Sequence, residues 1–250
     1  MHITFFGVTG AVQSSTSSNT SLLVATVDGA VLVDASGSPV QQLHAAGVSC
    51  LDLDALVLTH SHVDHLYALP SLLHQMWLMG RTKALRVVAN GQTTRDATAL
   101  CELFGLRTAA WTFDVAWDVV EDTRLEPVKG LGLSVFPVHH SVPTIGMRFE
   151  HGGRILVYSA DTAPCPRVLE EARGAACLIH EASNGTELMP ANGHSSAAEA
   201  GSLARTAGVE TLFLCHLDSS MPPAAVLQGA EEAFPWGTVI LPVPGKAYAC

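Results

Sequence analysis

The chain has 250 residues, of which 48% are hydrophobic and only 14% charged, so it can bury a sizeable core without covalent crosslinks. Its 13 Lys and Arg residues stand against 23 Asp and Glu, a formal net charge of −10. That acidity disfavours general nucleic-acid binding, which depends on neutralising phosphates with basic side chains. The high hydrophobicity also excludes extensive disorder. The unusual feature is histidine, with 12 copies.

The sequence shows no targeting or membrane segment. Met1–Val12 is apolar but has no basic n-region, and no apolar run reaches the roughly 18–20 residues that span a bilayer. The six cysteines are scattered and form no C-x-x-C pair, which predicts reduced thiols. We therefore expect a cytoplasmic protein without membrane association.

In chain order, the hydrophobic pattern predicts strands first and then alternating helices and strands. The predicted strands are His2–Gly7, Ser21–Thr26, Ala30–Val33, Leu53–Thr59, Leu85–Ala89, Leu131–His139, Arg148–Glu150, Arg154–Ser159, Leu178–Glu181, Thr211–Cys215 and Val239–Val243. The predicted helices are Pro39–Ala46, Leu66–Met79, Thr93–Leu103, Pro166–Arg173 and Ser195–Ala207. Trp111–Asp122 gives no clear pattern. Since composition does not change along the chain, this order indicates one layered α/β domain over residues 1–250.

The segment Thr59–His65 carries the strongest chemical signal. It follows a predicted strand and precedes a predicted helix, so its side chains gather at one strand end. In an extended segment His60 and His62 point the same way and can bind one divalent metal, while Asp64 and His65 at the helix start can serve a second. A solvated polar turn is the alternative interpretation, and the density of ligand-type residues disfavours it.

Three residues further along the chain can complete such a site. His140, Asp161 and His216 each follow a predicted strand, and open α/β sheets gather their sites at the carboxyl ends of strands. Each of these residues alone would more often be an ordinary surface residue. Together behind the His60–His65 motif they indicate a metal site. His139 precedes His140 on the opposite strand face, so we interpret it as structural.

Nine short segments, spread over nearly the whole chain, share one family pattern. They are Phe6–Val12, Leu32–Asp34, Thr59–His65, Leu69–Leu73, His140–Gly146, Tyr158–Thr162, His180–Ala182, Gly193–Ser196 and Leu214–His216. In these segments the chain resembles the ribonuclease Z-like branch of the metallo-β-lactamase-fold hydrolases. The resemblance implies a four-layer αββα sandwich, with two mixed β-sheets flanked by helices.

The resemblance also implies the ligands of two zinc ions. One ion would be held by His60, His62 and His140. The other would be held by Asp64, His65 and His216, with Asp161 bridging both ions. Mn²⁺ or Fe²⁺ can replace Zn²⁺ at such His/Asp sites. A hydroxide between the metals would attack the phosphorus of a phosphodiester.

Further site residues follow from the same pattern. His194 matches the family histidine near the leaving group, and Glu181 is placed to orient it. The candidate catalytic residues are therefore Asp64, His194 and Glu181. A surface charge at a strand end is the alternative interpretation of Glu181, and a histidine at a helix start is that of His194.

The chain departs from the family pattern in ways that affect its substrate. Transfer-RNA-processing members carry a long arm between the equivalents of His140 and Asp161, whereas about twenty residues separate those positions here. Tyr67-Ala68 and Ala160 replace glycines of the pattern and reshape the pocket rim. The basic cluster Arg81–Arg86 is interpreted as a solvated helix end, not an RNA-binding surface.

Three functions remain open at this point. We favour a zinc-dependent phosphodiesterase acting on small phosphodiesters such as cyclic nucleotides, because the arm is missing and the chain is acidic. The second is a transfer-RNA 3′-end endoribonuclease. The third is a non-phosphate hydrolase (of a lactone, thioester or β-lactam) or a metal-binding protein without activity. The resemblance further implies a homodimer.

Overall fold

Two mixed β-sheets face each other in the computed structural model of the chain, which describes residues 1–106, 113–184 and 193–250. The strands of the first sheet are β1 (His2–Thr9), β2 (Ser18–Asn19), β3 (Ser21–Ala25), β4 (Ala30–Val33), β5 (Ala55–Leu58), β6 (Leu85–Ala89), β7 (Val115–Val119) and β15 (Ala247–Ala249). Their order is β15-β1-β3-β4-β5-β6-β7, with β2 beside β1. Strands β1, β3 and β4 are antiparallel, and β4 to β7 are parallel.

The second sheet repeats this mixture of strand directions. Its strands are β8 (Thr123–Val128), β9 (Leu131–Val138), β10 (Thr144–His151), β11 (Arg154–Tyr158), β12 (Cys177–Glu181), β13 (Thr211–Cys215) and β14 (Thr238–Ile240). The order is β14-β13-β12-β11-β10-β9-β8. The first part, β8 to β11, is an antiparallel meander, and β11 to β14 are parallel.

Helices cover the outer faces of both sheets. They are α1 (Pro39–Ala45), α2 (Val63–Leu66), α3 (Leu69–Leu78), α4 (Gly91–Leu103), α5 (Pro166–Ala172), α6 (Ala197–Ala207) and α7 (Pro223–Ala233). Side chains of α1, α3 and α4 pack on the first sheet, and those of α5, α6 and α7 pack on the second. The layers are therefore helix, sheet, sheet, helix, which confirms the predicted αββα sandwich.

The central strands are hydrophobic at every position because both of their faces are buried. In β5, Leu56 packs under the helices while Val57 enters the core between the sheets. In β12, Leu178 and Ile179 divide in the same way. Consecutive apolar residues in these strands thus build two different cores.

Most of the predicted elements are present, with ends shifted by a few residues. Helix α3 begins at Leu69 with Pro70 in its first turn, three residues after the predicted start at Leu66. Helix α6 is capped by Ser196, whose side chain accepts from the Glu199 backbone N–H in a capping box. The prediction missed α7, β2, β7, β8 and β15. Residues 111 and 112 of the segment without a clear pattern lie outside the described residues.

The interpretation of the basic cluster as a solvated helix end is wrong for its first residue. Arg81 is only 1% exposed, and its guanidinium donates to backbone carbonyls that include those of Cys50 and Leu53. Lys83 pairs with Asp54, and Arg86 pairs with Asp118. The cluster holds neighbouring loops of the first sheet together, because carbonyl and carboxylate partners occupy its donors.

Within the described ranges, no helix is long and apolar enough to cross a membrane. All six cysteines are buried as free thiols, in agreement with the expectation from their spacing.

Candidate metal centre

The predicted site residues lie at one edge of the sandwich, where strands of both sheets end. Backbone turns at this edge are unusually tight. Asp34, Ala160 and His216 follow β4, β11 and β13 respectively, and all three have positive φ, between 51° and 59°. Such a conformation costs a non-glycine residue on the order of 1 kcal/mol or more, and it is typical of functional sites.

The first group of ligand-type atoms consists of three imidazole nitrogens. His62 Nδ1 lies 3.0 Å from His60 Nε2 and 3.2 Å from His140 Nε2. His60 is fully buried, whereas His62 and His140 are half-buried. Three nitrogens this close to one another match the donor set of a single divalent metal.

The second group lies beside the first and contains two carboxylates. Asp64 Oδ2 is 3.4 Å from both His65 Nε2 and His216 Nε2. Asp161 Oδ2 is 3.0 Å from His216 Nε2, 3.4 Å from His65 Nε2 and 3.7 Å from His60 Nε2. The Asp161 carboxylate therefore borders both groups.

Hydrogen bonds on the outer ring nitrogens set which nitrogen faces the site. His140 Nδ1 lies 2.8 Å from the carbonyl oxygen of Gly193, which can only accept, so Nδ1 carries the proton. His216 Nδ1 lies 2.5 Å from Ser183 Oγ, and that hydroxyl donates to the His216 carbonyl. The hydroxyl therefore accepts from Nδ1. When neutral, both rings turn an Nε2 lone pair toward the site.

One buried carboxylate, Asp34, orients a histidine of each group. It accepts a hydrogen bond from His65 Nδ1 at 2.8 Å and from the Thr59 backbone N–H at 2.8 Å. The Thr59 hydroxyl donates to Asp34 at 3.0 Å and accepts from His60 Nδ1 at 2.9 Å. Burial raises the pKa of Asp34, and the His65 charge and these hydrogen bonds partly oppose the rise.

His194 and Glu181 form a pair next to the two groups. His194 Nδ1 donates to Glu181 Oε1 at 2.8 Å, and the same carboxylate accepts from the backbone N–H groups of Thr162 and Ser183. Glu181 is fully buried, so it is not the surface charge of the alternative interpretation. Burial lowers the pKa of His194, but the hydrogen bond to Glu181 and the negative charges of Glu181 and Asp161 together raise it overall.

A cleft of about 250 Å³ opens beside this pair. Its lining includes His194, His216 and Ser183 together with Ala11 and Val12 of the loop after β1. The His194 ring stacks on the His216 ring with centroids 5.3 Å apart. The cleft therefore borders both His194 and the second ligand group, through His216.

The pKa shifts of the histidines and carboxylates in the two ligand groups are consistent with a site that binds cations. Burial opposes charge on His216, yet Asp161 and Asp64 raise its pKa to about 10. Burial likewise opposes ionisation of Asp161, but His216 and His65 hold its pKa well below the usual range. His65 Nε2, His216 Nε2 and Asp161 Oδ1 are buried without a hydrogen-bond partner. Inward-facing atoms of this kind suit metal coordination, so the residues fit a pair of divalent ions.

Comparison with known proteins identifies the family of the chain. Residues 30–217 match the model described as the Beta-lactamase superfamily domain. The chain belongs to the beta-lactamase superfamily. Two curated relatives in this superfamily are named Ribonuclease Z. The protein from Mycobacterium sp. (strain KMS) is 30% identical over 262 residues, covering 92% of this chain and 88% of that protein.

The second relative, from Methanothermobacter thermautotrophicus, is 29% identical over 300 residues and covers 99% of this chain and 98% of that protein. These matches put the chain in the ribonuclease Z-like branch of the superfamily. Among solved structures, the metallo-β-lactamase fold protein YhfI from Bacillus subtilis superimposes with a TM-score of 0.85 at 23% identity, covering 99% of this chain and 98% of that one. That likeness shows the shared superfamily fold.

The seven predicted ligands are thus brought together, and their role as metal ligands stays a prediction. The sequence reasoning assigned no role to the residues that orient them. Asp34 was part of a matching segment, and its place after a strand adjacent to β5 was a usable signal. Gly193 was also part of a matching segment, whereas Ser183 had no comparable signal, because its contact to His216 joins segments far apart in the chain.

Replacing Asp34 with Asn tests the orienting carboxylate. The amide keeps the size of the side chain but cannot accept at both positions from Thr59 and His65. We expect Zn²⁺ affinity, measured by competition with a chromogenic chelator, to fall by about 10–100-fold, as for other orienting partners of metal-bound histidines. Asp52→Asn, at an exposed residue away from the site, is the matched control. Equal affinities of the two variants would refute the role.

Metal binding is also expected to release protons. Because the metal-free site holds protons on His216 and His65, whose pKa values are raised, metal must displace them near neutral pH. We expect about two protons per chain to be released and affinity to fall as pH decreases. Titration calorimetry with Zn²⁺ in buffers of different ionisation enthalpy measures the number. A binding enthalpy independent of the buffer would contradict the expectation.

Proposed function

We propose that the chain is a dinuclear, zinc-dependent phosphodiesterase that acts on small phosphodiesters. The observation that carries the proposal is the pair of ligand groups bordered by one shared carboxylate, Asp161, with the His194–Glu181 pair beside them. Two adjacent cation sites suit a phosphodiester, because it has two non-bridging oxygens and gains negative charge around phosphorus in the transition state.

The proposed ligands divide as the geometry groups them. His60, His62 and His140 would hold one ion, and Asp64, His65 and His216 the other, with Asp161 between them. When bound, the ions supply positive charge to the phosphoryl oxygens and acidify a water molecule. Zn²⁺ suits the imidazole-rich set, and Mn²⁺ or Fe²⁺ remain alternatives for the same ligands.

His194 would act on the leaving group. Glu181 fixes the ring through Nδ1 and favours the imidazolium form, so the other ring nitrogen can donate a proton to the departing oxygen. The cleft beside His194 gives that part of the substrate a place to lie. Among the described residues, the Glu181 carboxylate accepts hydrogen bonds from His194 and from the backbone N–H groups of Thr162 and Ser183, which makes it a positioning residue.

Three features support a small substrate. Between His140 and Asp161 the chain forms only β10, β11 and the tight turn at Gly152-Gly153, so there is no arm to grip a folded RNA. The basic side chains of the cluster that begins at Arg81 are paired with backbone carbonyls and carboxylates, so they are not available to bind RNA phosphates. The net charge of −10 repels a long polyanion, whereas two bound cations would offset it locally for a single phosphate.

The second candidate is transfer-RNA 3′-end processing, favoured by the Ribonuclease Z names of the curated relatives. The alignment with the Methanothermobacter relative extends over 300 positions, although this chain has 250 residues. Part of that relative therefore has no counterpart here, and RNA recognition by the missing part would not carry over.

A substrate panel separates the candidates. Metal-loaded protein is assayed with bis(p-nitrophenyl) phosphate, a cyclic nucleotide, a precursor transfer RNA and a lactone. We expect kcat/KM for one of the small diesters to exceed that for the transfer RNA by at least about tenfold, equivalent to about 1.4 kcal/mol. Preferred cleavage of the transfer RNA at its 3′ end would favour the second candidate, and preferred lactone hydrolysis would reject both.

Substitution of His194 by Ala tests the proton donor. We expect kcat for a small diester to fall by about 10²–10⁴-fold while metal content, measured by atomic emission, stays unchanged. The loss should be smaller for diesters with more acidic leaving groups, which need less protonation. His139→Ala, an exposed histidine outside both groups, is the control. Unchanged kcat in the His194 variant would contradict this role.

A further inference from the structure

A tyrosine hydroxyl outside the ligand groups connects segments that border the site. The oxygen of Tyr67 accepts a hydrogen bond from the backbone N–H of Gly37 at 2.6 Å and from Gln13 Nε2 at 3.0 Å. Gln13 Nε2 also donates to Asn19 Oδ1 at 2.6 Å. The amide of Asn19 in turn donates to the backbone carbonyls of Gly10 and Ala11, so its Oδ1 must be the atom that faces Gln13.

Each connected segment carries part of the site. Loop 10–17 leaves β1, and its residues Ala11 and Val12 line the same cleft as His194. Gly10 of the same loop lies against the His216 ring, where a Cβ atom would come within 3.1 Å of Cε1. Gly37 closes the turn that begins at Asp34. Tyr67 itself follows α2, which carries two proposed metal ligands.

Ala11 and Val12, which form the wall of the cleft that loop 10–17 contributes, offer an apolar surface to a bound molecule. Val12 is 70% exposed, and the loop around it has polar, exposed side chains. Gln13, the next residue of the loop, donates to Tyr67, which is 54 positions away in the sequence. This hydrogen bond is a tertiary contact, called the tie below, between the loop and the segment that follows α2. Loss of this contact would loosen the loop beyond the residues that Asn19 holds at Gly10 and Ala11, without touching a proposed ligand.

We propose that Tyr67 is a positioning residue that, through Gln13, holds Ala11 and Val12 of the cleft lining in place for an apolar or aromatic substituent of the phosphodiester substrate. The inference rests on the proposed function and adds a specificity determinant to it. Tyr67 does not touch the proposed reacting atoms, so its effect falls on substrate affinity and not on the chemical step. The ring is 37% exposed, and removing its hydroxyl leaves no buried cavity.

The test compares Tyr67→Phe, Gln13→Ala and the double variant with Tyr248→Phe. Tyr248 is a matched control, because its hydroxyl also accepts a backbone hydrogen bond, from Val243 at 2.9 Å, but lies on β15 away from the site. For bis(p-nitrophenyl) phosphate we expect KM to rise about fivefold in each single variant, the worth of one neutral hydrogen bond, with kcat changed less than about twofold. The double variant should resemble either single variant.

Hydrogen exchange of the metal-free protein gives a readout independent of activity. The amides of Ser14 and Ser17 are hydrogen-bonded within the loop and should exchange faster in Tyr67→Phe than in Tyr248→Phe. Unchanged KM or unchanged exchange in Tyr67→Phe would overturn the inference. If the unaltered protein hydrolyses no phosphodiester, the proposed function and the specificity role fail, while faster exchange would still support the tie itself.

Discussion

The buried carboxylate of Asp34 is the constraint on which the site depends. It is fully buried, adopts a left-handed backbone conformation, and accepts hydrogen bonds from Thr59 and His65. Through the Thr59 hydroxyl it also sets the orientation of His60. One side chain at the end of β4 therefore fixes an imidazole in each of the two ligand groups. A charged group buried this deeply requires such a complete set of donors.

Both sheets contribute to the site, and their packing brings its parts together. The first sheet supplies Asp34 and the segment after β5, and the second supplies Asp161, Glu181 and His216. The core between the sheets is built from apolar side chains, and the polar groups of the site lie at the edge where strands end. Positive φ at Asp34, Ala160 and His216 turns the chain sharply at this edge. The stability of the sandwich offsets the cost of those conformations.

Charge explains how an acidic chain could act on a phosphate ester. The carboxylates of Asp64 and Asp161 carry negative charge inside the site, and in the metal-free state it is balanced by protons on His65 and His216. Exchange of those protons for divalent cations would turn the same pocket positive. The net negative charge of the chain would disfavour long polyanions, in line with the small substrate that we propose.

The sequence by itself predicted a layered α/β domain from its periodicity and four candidate ligands from the dense motif His60–His65, because both are local signals. The αββα sandwich and the full set of seven candidate ligands followed from the family resemblance of short segments along the chain. Helix α7 and the edge strands β7 and β8 escaped prediction, since short or partly exposed elements carry weak periodicity. The burial of Arg81, the contact of Ser183 with His216 and the tie between Gln13 and Tyr67 were decided only by the tertiary structure. Each of them joins residues distant in sequence, and a hydrogen bond between such residues exists only once the sheets have packed.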